Sequence, residues 1–122
     1  MGTRASPAAE GHGAARAKFE QSLRIKQQFG DRVGEANTFG HLGVLAAEVG
    51  HKQAGLLPLA LSAMLLQRIG HGNLKWAEGW VNSLASELDC SQEQFDALRQ
   101  EVAEAYRQDR GWGLIEAAFR ED

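Results

Sequence analysis

Between Gly30 and Gly70 the chain reads GDRVGEANTFGHLGVLAAEVGHKQAGLLPLALSAMLLQRIG, with glycine at both ends and again at Gly50. Glycine reaches the left-handed conformation that commonly closes a helix. Each of these three glycines follows an apolar run at helical spacing, so the stretch divides into two helices that fold back on one another. Strands are disfavoured, because β-branched residues are few and Ala, Leu, Gln, Glu and Arg dominate.

The pattern recurs. With Phe19 laid on Leu59, Ser22 falls on Ser62, Ile25 on Leu65, Phe29 on Ile69 and Gly30 on Gly70. A unit of two helices cannot bury both its faces alone, so copies stack. AARAKFEQSLRIKQQFGD is then the second half of a preceding unit, and the segment after Gly70 a worn third copy that keeps the two-helix form.

Helix limits follow from periodicity and caps. The first helix is expected from near Ala14 to Phe29, with Ala15, Phe19, Leu23, Ile25 and Phe29 as its apolar stripe. Asp31 caps the second, which runs to Val49. Its interior glycines each cost about 1 kcal/mol against alanine, so Gly43 is expected to mark a close helix contact. The third covers Lys52 to Ile69 and is apolar nearly all round, as a helix buried between neighbours would be. Pro58 requires it to start late, near Leu57, or to bend. Asn73 is expected to cap a fourth helix through Leu88, on which Trp76 and Trp80 share a face, either packed in the core or forming an aromatic patch that receives a partner. Ser91 and Gln94 form a capping box for a fifth, to about Gln108. Leu114 to Phe119 makes a last short helix, with Trp112 closing the end against Tyr106 or Phe119. Residues 1–12 are expected to fray, and 13–122 to form a single domain.

These features resemble the tetratricopeptide repeat family in its variant of roughly 40 residues. Phe29-Gly30-Asp31-Arg32-Val33-Gly34-Glu35-Ala36 is similar to that variant's I-G-D-R-x-G-E-A junction, and Leu42-Gly43 to its Leu-Gly pair. Gly55 stands where a small residue is expected, and Ala15, Phe19 and Ser22 fill small, aromatic and small positions. Ala46 replaces the usual tyrosine and Leu59 an aromatic. Asn82-Ser83 or Leu84-Ala85 falls where the last copy should have Leu-Gly. The resemblance implies an all-α fold: a short right-handed superhelix of antiparallel helix pairs, about five helices plus a short C-terminal one. It assigns repeat packing to Ala15, Phe19, Ser22, Phe29, Leu42, Gly43, Gly55, Leu59, Ser62 and Ile69.

It also implies a function. Family members act as adaptors, scaffolds and regulatory arms that bind a peptide or protein in a groove lined by the first helix of each repeat. Here that surface would present Asn37, Gly40, His41, Val44, Ala47 and Glu48, then Lys75, Glu78, Asn82 and Ser86. The lysine and asparagine pairs that clamp a terminal carboxylate in chaperone-binding members are absent from these positions. Two alternatives are self-association, if the first helix leaves a flank uncovered, and a regulatory arm of a larger signalling protein.

Other chemistry finds little purchase. The net charge of -3, with basic residues interleaved among acids, argues against nucleic acid. None of His12, His41, His51 and His71 has a partner at ligand spacing, so no metal is expected. No phosphate loop or catalytic constellation stands out, so no cofactor and no enzyme activity are expected. The nearly uncharged run Ala54 to Leu66 is shorter than the roughly 20 residues a membrane span needs. The single Cys90 excludes an internal disulfide and suits a reducing cytoplasm.

Overall fold

The computed structural model describes the backbone of residues 7–120 and the side chains of residues 12–120. Among these the chain forms six helices and no strand: α1 (Pro7–Gln28), α2 (Arg32–Glu48), α3 (Lys52–Ile69), α4 (Leu74–Glu87), α5 (Gln92–Asp109) and α6 (Trp112–Ala118). The chain is therefore all-α. Residues 7–12, expected to fray, belong to α1, and residues 1–6 lie outside the described part.

The junctions follow local chemistry. Gly30 adopts φ 71° and turns the chain out of α1. Asp31 then caps α2, its Oδ1 accepting from the Gly34 amide at 2.8 Å. Ser91 and Gln94 form the expected reciprocal capping box at the start of α5. Asn73 departs from expectation. It precedes α4 but makes no side-chain cap. Its Nδ2 donates instead to Asn37 Oδ1 at 3.1 Å, tying α4 to α2. Pro58 neither delays α3 nor ends it, since the helix runs on from Lys52.

The most extensive pairing is α2 on α3. A Cβ on Gly43 would lie 2.7 Å from the Gly55 carbonyl oxygen, and one on Gly55 2.6 Å from that of Gly43. Only glycine lets the two backbones meet here, and the approach offsets the poor helix propensity of both. Around the crossing Phe39, Leu42, Leu56, Leu59, Leu61 and Leu66 are fully buried. α1 packs on α2, and α4 on α3.

The expected third hairpin does not form. The backbone of α5 lies against α3 and α6 and not α4, although Phe95 and Leu98 of α5 join the apolar cluster that holds Val81 and Leu84 of α4; α6 folds back onto α3 and α2. The Trp112 indole N–H donates to Gln27 Oε1 at 2.9 Å, and the Arg24 guanidinium stacks over the indole ring. Arg16 of α1 likewise covers Phe119. Trp112 thus docks on α1, where a simple end-cap on Tyr106 or Phe119 was expected.

Of the residues expected to pack a repeat, Leu42, Gly43, Gly55, Leu59 and Ser62 are buried, and Ala15, Phe19 and Ser22 half-buried. Phe29 and Ile69 are corrections. Phe29 is 77% exposed and Ile69 42%. Phe29 lies beyond the last residue of α1, in the reversing turn, and Ile69 is the final residue of α3, so no neighbouring helix covers either.

Candidate functional site

One face of the molecule carries a row of rings contributed by three helices. Phe19 of α1 stacks on His41 of α2, with ring centroids 5.5 Å apart and planes inclined by 14°. His41 in turn meets Trp76 of α4 at 5.2 Å and 55°. The row depends on Gly40, because a Cβ there would fall 2.6 Å from Trp76 Cζ3. Trp76 therefore lies over the α2 backbone, and it is still 38% exposed. The two tryptophans of α4 were expected either in the core or in an aromatic patch that receives a partner. Only Trp80 packs, half-buried, beside Leu56, Leu59, Val81 and Leu84.

The expected groove residues divide between two surfaces. Asn37, His41 and Lys75 belong to the ringed face: Asn37 through its bond to Asn73, and Lys75 through an open dent of about 330 Å³ shared with Trp76, Gly79, Trp80 and Ser83. Val44 is half-buried against the Leu56–Leu59 cluster, and Glu48 is exposed at the end of α2. Glu78 and Asn82 open on the other side of α4, into a cleft of about 490 Å³ bounded by α3 and α5. This cleft shares no lining residue with the dent beside Trp76, so Glu78 and Asn82 face a different opening from Lys75.

A buried polar centre lies behind the α1–α2 junction, and no sequence signal beyond the junction motif marked it. Glu35 is 1% exposed. Its carboxylate accepts from Gln27 at 2.9 Å, Arg32 at 3.3 Å, Tyr106 at 3.0 and 3.1 Å and Arg110 at 3.1 Å. A buried carboxylate needs this degree of satisfaction. Burial pulls the Arg110 guanidinium pKa down, but the neighbouring Tyr106 hydroxyl and the charge of Glu35 outweigh burial and raise it. The donors come from α1, α2 and the end of α5, so the cluster is a clamp between distant segments.

Among the described residues no serine, threonine or cysteine side chain is hydrogen-bonded to a histidine, and no three His, Cys, Asp or Glu side chains gather as a metal would require. His51 Nδ1 lies 2.7 Å from the Ala118 carbonyl oxygen, and His71 Nδ1 accepts from the Asn73 amide at 3.0 Å. Both histidines serve junctions. No helix among the described residues is long and apolar enough to cross a membrane. No protein-family model, curated protein or solved structure matches the chain.

Proposed function

We propose that the chain is a tetratricopeptide-like interaction module whose ringed face, across α1, α2 and α4, binds a peptide or protein partner. The observation that carries this reading is the row Phe19–His41–Trp76, which leaves His41 and Trp76 in solvent. Exposed tryptophan over a fixed backbone notch suits an interaction hot spot, since little freedom is lost on binding. The Asn37–Asn73 amide pair beside it offers donors and acceptors to a peptide backbone. The capped glycine junctions and the Gly43–Gly55 crossing support the repeat reading. In that reading α1 to α4 form the array, a short solenoid, and α5 with α6 cover one side of it.

Photo-crosslinking from the native host tests this. A photoreactive residue at Asn37 should capture a defined protein that one at Gln92, exposed on α5, does not. His41→Ala with Trp76→Ala should remove that capture. The same proteins captured at both positions, or capture indifferent to the double variant, would end the reading.

Self-association is a second reading, favoured by the exposure of Ile25 on α1 and Phe29 in the turn that follows it. Sedimentation velocity at micromolar concentration decides it: a strictly monomeric species excludes it, and a dimer dissociated by Phe29→Ser supports it.

A further inference from the structure

The cleft between α4 and α5 has a definite shape. Its floor is Ala60, Ala63, Met64 and Gln67 of α3, a single helical stripe at i, i+3, i+4 and i+7. Leu74, Glu78 and Val81 form the α4 wall, and Phe95, Arg99 and Val102 the α5 wall, each at i, i+4 and i+7. Every stripe covers about 10 Å along its helix, at 1.5 Å per residue. The hollow therefore runs along the helices for two turns, kept open by the two alanines in its floor. Its two rims carry opposite charge: Glu78 beside Asn82 on α4, and Arg99 beside Gln100 on α5.

We propose that this cleft docks an amphipathic helix of a partner protein, two to three turns long, with large apolar side chains at i, i+3 or i+4 and i+7, a basic residue on one flank against Glu78 and an acidic residue on the other against Arg99. Backbone chemistry selects a helix over an extended segment. A strand laid along Ala60, Ala63 and Met64 would find no partners there for its N–H and C=O groups, whereas a helix satisfies its own. A volume of about 490 Å³ receives the inward side chains of such a helix and leaves its polar face in water. A fatty acid could meet Arg99 but would leave Glu78 facing an apolar chain, so the mixed rim favours a mixed-charge helix. The site is distinct from the ringed face and stands or falls independently of it.

The probe is a set of three stapled, fluorescein-labelled helical peptides of about 15 residues. They share one leucine stripe and differ in their flanks: lysine opposite glutamate, lysine on both, or glutamate on both. Anisotropy with the full chain should give the mixed peptide about tenfold tighter binding than either other. Asn82→Trp, a change at an exposed rim position, should fill the mouth and abolish it. Arg99→Glu should transfer the preference to the peptide with lysine on both flanks. Equal affinity for all three peptides overturns the proposal, as does binding untouched by Asn82→Trp. Saturable binding of dodecanoate while no peptide binds would assign the cleft to a lipid instead, and a dimer dissociated by Asn82→Trp would assign it to a second copy; either overturns it.

Discussion

The Tyr106 hydroxyl at the end of α5 donates to the buried Glu35 carboxylate at the start of α2, 3.0 Å away across 71 residues of sequence. It also accepts from Arg32 at 3.0 Å, so one phenol joins the α2 junction to the returning C-terminal segment. A hydrogen bond to a charged group is worth about 1.5–3 kcal/mol, and here Gln27, Arg32 and Arg110 remain on the carboxylate when the phenol is lost. Tyr106→Phe should therefore cost about 1–2 kcal/mol in urea denaturation. Arg107→Ala, at an exposed position one residue on, should change stability by less than about 0.5 kcal/mol.

Two glycines should respond in opposite directions to the same substitution. At Gly43 an added methyl meets the Gly55 carbonyl and the Leu59 side chain, both at 2.7 Å, and a backbone atom cannot move aside cheaply. Gly43→Ala should destabilise by about 1–3 kcal/mol despite the better helix former. Gly79 in α4 has nothing within 4 Å of its Cβ position. Gly79→Ala should stabilise by up to about 1 kcal/mol. Thermal denaturation of the pair checks both signs, and an unchanged Gly43→Ala would contradict the close crossing.

Ser91→Ala removes one half of the α5 capping box, where Ser91 Oγ accepts from the Gln94 amide at 3.1 Å. The expected loss is about 1 kcal/mol, read as a lower midpoint in guanidinium chloride at constant slope. Hydrogen exchange should accelerate first in the opening turn of α5.

Phe29 separates sequence pattern from packing. Its place in the repeat register suggested a core residue, yet it is 77% exposed. Phe29→Ser should shift stability by no more than about 0.5 kcal/mol. Phe39→Ala, at a position with 0% exposure, should cost about 3–5 kcal/mol. Comparable losses at the two sites would contradict the register of α1 on α2.

What could be read in advance was local. Asp31, the Ser91–Gln94 box and the glycine turns act on residues two to four away, so their geometry is written in adjacent sequence. Gly43 was legible because three interior glycines are costly for a helix unless something presses against them. The failures concern partners far along the chain. Asn73 has the chemistry of a cap, but Asn37, 36 residues away, takes its amide instead. Glu35 looked like part of a junction motif, and its partners Tyr106 and Arg110 lie 71 and 75 residues on. The groove residues of α4 were assigned by register with α2. That register assumes the α5 backbone beside α4, and α5 makes its main backbone contacts with α3 and α6.

The attachment of α6 to α1 changes how the molecule can come apart. A stack of helix pairs whose units touch only their neighbours frays from its ends, each unit opening at its own free energy. Here Gln27 holds the Arg110 carbonyl at a separation of 83 residues and the Trp112 indole at 85. Peeling away the last helix uncovers the first, and loosening the first releases the last. The zipper has been closed into a ring, so partial opening from one end is penalised at both. Unfolding should be concerted, and folding slower than for an open helical array of equal length, because its closing contacts span most of the chain.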